Sequence, residues 1–414
     1  MSGPRFVVVG GGLAGATAAQ ALREQGFDGG ITLVGEEPER PYERPPLSKE
    51  YLLGTAGREK VYVHPEGWYA EHDVELMLHT SVDELDPAAH QVTLSTGAAL
   101  PYDALLLATG SSPRRLTVPG ADLDGVHYLR RLGDSDQLKT ALAAADRVAV
   151  VGAGWIGLET AAAARAAGVE VTLLEADHLP LLRVLGPEVA ATFADLHRDH
   201  GVDLRTGVTV AELVGREGTV TGVRLGDGTE VPADLVIVGV GITPEDQLAR
   251  DAGLDVGNGI TVDEHLRTSH VDVFAAGDVA NAYHPLLRRH IRVEHWANAR
   301  RQGATAARTM LGQDTVYDRM PYFFSDQYDL GMEYTGYVEP GGYDDVVFRG
   351  DPASGKFIAF WLSGSRVLAG MNVNVWDVTA AVEAVIRSGA QVDVARLRDP
   401  STPLEALTAA GPAG

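Results

Sequence analysis

The chain contains no cysteine in 414 residues. It therefore cannot relay electrons through a redox disulfide, attack with a thiolate, or hold an iron–sulfur centre on its own thiolates. Long apolar runs are missing as well: none approaches the roughly eighteen residues a membrane-spanning helix needs. Positive charge is scarce. Lysine and arginine number 34 against 57 acidic residues, a formal charge of -23, which disfavours nucleic acid or an anionic membrane as a general partner but leaves room for a local basic patch that steers an acidic one. The N-terminus has no basic segment followed by a long apolar one, so no signal peptide is expected and the chain reads as cytoplasmic. Its length suits two or three domains, and its 45% hydrophobic content is that of a soluble globular protein.

Glycine, by contrast, falls in two informative clusters. In RFVVVGGGLAG (Arg5 to Gly15) a short apolar strand runs directly into glycines and then a helical stretch, Ala14 to Gln25. Gly10, Gly12 and Gly15 have G-x-G-x-x-G spacing: the first permits a tight turn, the second admits a pyrophosphate, and the third lets helix pack on strand. A second apolar strand, Ile31 to Val34, is followed by Glu36, 26 positions after Gly10, near the offset at which an acid takes ribose hydroxyls. One such match is weak evidence, because glycine-rich turns are common.

The pattern then recurs. RVAVVGAGWIGLETAAAARAAGVEVTLLE (Arg147 to Glu175) repeats strand, glycines (Gly152, Gly154, Gly157), helix, strand and terminal acid, with Glu175 23 positions after Gly152. Two matches of this length imply two dinucleotide sites, most simply FAD and a nicotinamide nucleotide exchanging hydride. Glu175 favours NADH, since a carboxylate accepts both ribose hydroxyls but repels a 2'-phosphate. Arg183 and His178 downstream leave NADPH open.

Three segments narrow the reading further. RPPLSK (Arg44 to Lys49) follows VGEE, GAGWIGLE carries the second glycine cluster, and VEHWANARRQG runs from Val293 to Gly303. Together they resemble the oxygenase-coupled ferredoxin reductases, FAD-dependent and NADH-oxidising flavoproteins that serve cytochromes P450 and aromatic-ring dioxygenases, over essentially the whole chain. The resemblance implies an α/β fold of the glutathione-reductase-like kind, with two Rossmann-like dinucleotide-binding domains and a C-terminal α+β domain. An FAD domain is expected at 1–113 and 243–319, an NADH domain at 114–242 and an interface domain at 320–414.

For FAD, the resemblance implies contacts from Leu13 and Ala14 beside the first glycines, from Glu36, Arg44 and Val82, and from the turn Ala108-Thr109-Gly110 that ends the strand from Tyr102. It adds Arg130, for which a surface salt bridge is the competing role, and Gly277-Asp278, whose aspartate accepts from the ribityl chain. Glu294, His295 and Trp296 then face the pyrimidine end. Phe324 stands where relatives place an aromatic over the flavin, often tryptophan. Lys49, taken alone, reads as a solvated lysine on a short helix capped by Ser48, and Glu159 as a solvated acid; the resemblance puts Lys49 near the reactive edge of the isoalloxazine and pairs Glu159 with it and with the nicotinamide amide. On the nicotinamide side it adds Ile156, Gly241 and Trp155, the last facing either the nicotinamide pocket or the core.

From about Met320 strand-like runs are expected at Tyr334 to Val338, Tyr343 to Arg349, Lys356 to Leu362 and Val367 to Val373, then a helix from Val375 to Arg387 and an Ala-rich tail. The expected activity is hydride transfer from NADH to FAD, followed by single-electron transfer to an iron–sulfur ferredoxin, in a monomer or homodimer. Between His284 and Arg308 lie Arg288, Arg289, Arg292, Arg300, Arg301 and Arg308, with Glu294 the one acid. They offer either a ferredoxin-docking patch centred on Arg288, Arg289 and Arg301, or a set of solvated arginines, some bonded to FAD phosphates. Two other readings stay open: an NADH oxidase or nitrite-reductase-associated flavoprotein, and an NADH-binding redox sensor like apoptosis-inducing factor.

Overall fold

A computed structural model describes residues 3–407; the Ala-rich tail from 408 lies outside them. The chain divides into two compact units, each assembled from separated stretches: 1–45, 57–112 and 242–319 in the first, 46–56, 113–241 and 320–414 in the second. No helix among the described residues is long and apolar enough to cross a membrane.

The first unit is built on a five-stranded parallel sheet in the order Val273–Ala275, Ala104–Leu107, Arg5–Val9, Gly30–Val34, Val74–Met77. Its central strands are nearly continuous apolar runs, as a sheet covered on both faces requires, and Val8, Leu33, Leu105, Leu106 and Leu107 are fully buried. The helix Leu13–Glu24 follows the first strand and buries Ala14, Ala16, Ala18, Ala19 and Ala21, small side chains that allow close packing. The helix Trp296–Met310 lies against it so closely that a Cβ on Gly303 would overlap the Ala14 carbonyl.

The second unit contains a matching parallel sheet in the order Asp203–Thr206, Glu170–Glu175, Arg147–Val151, Leu235–Val238, Val126–Tyr128. It also contains a five-stranded antiparallel sheet, Tyr322–Gln327, Leu330–Gly336, Arg366–Val373, Lys356–Ser363, Asp345–Asp351. The strand at Tyr322–Gln327 was not anticipated. The helix expected from Val375 runs Thr379–Ser388 instead, because Asn374 and Asp377 take left-handed backbone (φ 50° and 63°) in the turn before it. A further helix, Leu182–Asp199, is broken at Gly186 (φ 74°, ψ 170°) ahead of Pro187. The indole N–H of buried Trp361, from the antiparallel sheet, donates to the Leu185 carbonyl at the break at 3.0 Å.

The segment Pro46–Ala56 joins the second unit although the chain on either side of it belongs to the first. Its anchors are specific: Ser135 donates to the Leu47 carbonyl at 2.8 Å and Tyr51 donates to Asp136 at 2.6 Å.

Candidate functional site

The two glycine clusters have the same geometry. Gly10 has φ +124°, and a Cβ there would overlap the Ala108 carbonyl; one on Gly15 would overlap the carbonyl of Gly10. Gly12 is different. Its backbone is extended (φ -89°, ψ -174°), a Cβ there would meet nothing within 4 Å, and as N-cap of the helix Leu13–Glu24 it brings no capping side chain. Gly152 (φ +95°) is hemmed in by the Gly239 carbonyl and Gly157 by that of Gly152, while Gly154 is extended, open and uncapped at the head of the helix Trp155–Ala166. Each turn thus leaves a helix N-terminus without a capping side chain beside open space, which fits the pyrophosphate of a dinucleotide.

Around the first cradle, Glu36 is exposed at the exit of its strand. Its neighbour Glu37 accepts from Arg44 at 3.1 Å and from Tyr42 at 2.5 Å. Thr109 donates to the Glu245 carbonyl at 2.6 Å and the Glu245 N–H donates to the Gly110 carbonyl at 3.0 Å, so this turn clasps the returning chain. Asp278 accepts from Ser111 at 3.0 Å, and the Gly277 N–H donates to the Gln302 side chain at 2.9 Å. Burial holds His295 neutral, with its pKa down to about 4 against the opposing pull of the Asp278 charge. Val82 opens the half-buried edge strand Val82–Asp86 and packs on the first unit's core.

Beside the second cradle, the Glu175 carboxylate accepts from the Ala153 N–H at 2.6 Å and the Asp177 N–H at 2.8 Å. Arg183 pairs with Asp177 at 2.7 Å and is largely exposed. Gly241 accepts from the Arg114 N–H at 2.9 Å. Ile156 is exposed on the first turn of its helix. Trp155 is half-buried, its ring edge-on to Phe193 and Phe323 at 5.5 and 5.1 Å. Arg130 lies in this second unit, its N–H donating to Asp134 at 2.9 Å.

One ion pair stands apart from the others. Lys49 Nζ lies 2.8 Å from Glu159 Oε1, with the two side chains only 14% and 5% exposed. Glu159 sits in the helix Trp155–Ala166 within a run of buried residues. Two hydroxyls complete its coordination: Ser48 donates to Oε2 at 2.5 Å and Ser325 to Oε1 at 2.7 Å. A buried charge needs this degree of pairing to be tolerated. Ser48 therefore does not cap a helix. It ends the 3₁₀ turn Pro45–Ser48, whose two prolines set φ and remove N–H donors, and its hydroxyl is turned to Glu159. The Lys49 ammonium also lies over the half-buried Phe324 ring, 5.5 Å from its centre.

The arginine segment is only partly exposed. Arg288, Arg289, Arg300 and Arg308 are exposed and Arg301 is half-buried, but the Arg292 side chain is 8% exposed, paired with Glu294 at 2.5 Å and donating to the Asp278 carbonyl at 3.1 Å. Arg300 stacks over the Trp296 ring at 4.7 Å. Arg292 thus serves the interior, not the patch.

Residues 4–303 match the family model for pyridine nucleotide-disulphide oxidoreductases, and 322–408 match the reductase C-terminal model. The chain is 42% identical, over 98% of its own length and 99% of the relative's, to the ferredoxin reductase subunit of the 5,5'-dehydrodivanillate O-demethylase of a Sphingobium species. This settles the family. The chain belongs to the ferredoxin reductases of the pyridine nucleotide-disulphide oxidoreductases. This ferredoxin reductase is also 40% identical to the ferredoxin–NAD(+) reductase of the anthranilate 1,2-dioxygenase system of Burkholderia cepacia, over 98% of this chain and 99% of that one. It superimposes with a TM-score of 0.95, at 39% identity and over 99% of its length and 100% of the other's, on the reductase in a covalent putidaredoxin reductase–putidaredoxin complex. The expected fold class and family therefore hold. The reductase keeps the family's frame without the disulfide of the family's name, having no cysteine.

Sequence reading of the reductase missed Glu37, Ser111, Ser325 and Gln327. The last two carried a signal, since Phe323, Ser325 and Gln327 alternate at strand period and all three are buried.

Proposed function

We propose that this chain oxidises NADH through FAD and passes the electrons singly to an iron–sulfur ferredoxin that feeds a cytochrome P450 or a Rieske oxygenase. The observation that carries the reading is the pair of open glycine cradles in a chain with no thiol. FAD, when bound, supplies the conversion of a two-electron donor into one-electron steps. Residues 1–113 and 243–319 hold it, 114–242 hold NADH, and 320–414 form the interface domain. Gly12, Arg44, Asp278 and the 294–296 segment orient the flavin, and Lys49, held by Glu159, lends positive charge at its reactive edge. The test is mixing with NADH and a panel of two-iron ferredoxins under anaerobic conditions, and with NADH alone in air. Rapid NADH oxidation only with a ferredoxin supports the proposal. Equally fast oxidation by oxygen alone marks an NADH oxidase, and a long-lived NADH complex without turnover marks a redox sensor.

Cofactor choice follows from Glu175. Its carboxylate is held beside the second cradle by two backbone N–H groups, and Arg183, one of the two candidates for a 2'-phosphate, is engaged with Asp177. We expect kcat/KM to favour NADH over NADPH by at least about tenfold, roughly 1.4 kcal/mol. Equal use of NADPH by the purified enzyme would refute this.

The ferredoxin docks, on this reading, at Arg288, Arg289 and Arg301. Arg288 and Arg289 are exposed at a hairpin beside the flavin-orienting segment, in a chain of formal charge -23 that otherwise repels an acidic partner. Reversing all three to Glu should raise the ferredoxin KM about tenfold or more and flatten its salt dependence, because steering fades as the Debye length falls from ~10 Å at 0.1 M to ~3 Å at 1 M. Flavin reduction by NADH alone should stay unchanged. Unaltered ferredoxin kinetics in the triple variant place docking elsewhere.

A further inference from the structure

Glu159 is the end of a longer chain of buried polar groups. Ser325 Oγ, which donates to it, lies 3.1 Å from Gln327 Nε2; Gln327 Oε1 lies 2.9 Å from His197 Nε2; and the Tyr328 hydroxyl lies 3.3 Å from His197 Nδ1. Ser325, Gln327 and His197 are at most 1% exposed, so water does not supply alternative partners.

The directions of these bonds follow from one charge. A carboxylate paired with a lysine only accepts, so the single hydroxyl proton of Ser325 goes to Glu159 and its oxygen offers only lone pairs to Gln327. Gln327 must then turn its NH₂ toward Ser325 and its carbonyl oxygen toward His197. That oxygen needs a donor, which places the imidazole proton on Nε2 and leaves Nδ1 to accept from Tyr328. Burial keeps His197 neutral, lowering its pKa to about 4, so one ring nitrogen only carries hydrogen.

We propose that Ser325, Gln327 and His197 are positioning residues for the Lys49–Glu159 pair, forming a hydrogen-bond chain in which every donor points toward Glu159. The carboxylate's charge is thereby divided among Lys49, Ser48 and Ser325. Without the Ser325 share, more of it neutralises Lys49, and less positive charge remains for the cofactor. The inference rests on the reading of Lys49 given above.

The test is a double-mutant cycle on the holoenzyme, following the flavin midpoint potential and the anaerobic rate of flavin reduction by NADH. Ser325→Ala should lower the potential and slow reduction about threefold or more, with FAD still bound. Gln327→Glu keeps the shape but accepts where Gln327 donates, so it draws the Ser325 proton away from Glu159 and lowers the potential as well. Adding Ser325→Ala to Gln327→Glu should then change little. Equal Ser325→Ala effects in both backgrounds, or none in the wild type, overturn the chain. If Ser325→Ala is silent while Lys49→Met lowers the potential, the chain fails and the Lys49 reading stands; silence in both removes both. Independently of any variant, nitrogen NMR of the wild-type holoenzyme should show His197 as the Nε2–H tautomer at neutral pH, and an Nδ1–H ring overturns the proposal.

Discussion

Gly12→Val should yield a folded chain that no longer holds FAD, whereas Gly154→Val should keep FAD and lose NADH. Both positions have extended backbone that any residue adopts, and at neither does a Cβ meet another atom within 4 Å. The substitutions therefore cost the fold little. What they fill is the space over an uncapped helix N-terminus, where a pyrophosphate must approach the backbone. We expect affinity to fall by at least about 100-fold at the altered site, roughly 2.7 kcal/mol. Flavin absorbance relative to protein reads the first variant and the NADH KM the second, with the thermal midpoint as a control for folding. A Gly12→Val protein that purifies with full FAD would show that the pyrophosphate lies elsewhere.

Lys49→Met should have the next largest effect, and its signature has two parts. If Lys49 lends its charge to the flavin's reactive edge, as proposed, its removal should slow flavin reduction by NADH about 100-fold and lower the midpoint potential. The protein should also lose about 3 kcal/mol of stability, because Glu159 remains buried with its countercharge gone and only the Ser48 and Ser325 hydroxyls to compensate. Combining Lys49→Met with Glu159→Gln separates the two. Neutralising the carboxylate should recover most of the stability and none of the rate. A Lys49→Met enzyme with wild-type potential and rate would reduce Lys49 to a structural cation.

The parts of this molecule that were legible in its sequence are those encoded by short-range pattern. The glycine clusters, the apolar strands before them and the terminal acids Glu36 and Glu175 each fall within about thirty residues, where turn sterics and strand burial act directly. The Lys49–Glu159 pair spans 110 positions and could be anticipated only through resemblance to a family. Ser48 shows the limit: a serine after two prolines has the form of a helix cap, yet its hydroxyl bonds a glutamate 111 residues away. Arg292 fails in the same way. Counted among surface arginines, it is drawn inward by Glu294 and the Asp278 carbonyl.

The break at Gly186 bears on how motion can travel. An unbroken helix acts as a strut and delivers a push at one end to the other. The helix Leu182–Asp199 begins shortly after Glu175 in the chain and carries His197, a member of the hydrogen-bond chain behind Glu159, near its end. With a non-helical joint after its first turn, pinned by the Trp361 indole, that strut is a hinge with a fixed pivot. A push on the first turn would meet the joint at Gly186 before it reached His197, whose imidazole is tied to Gln327 of the antiparallel sheet.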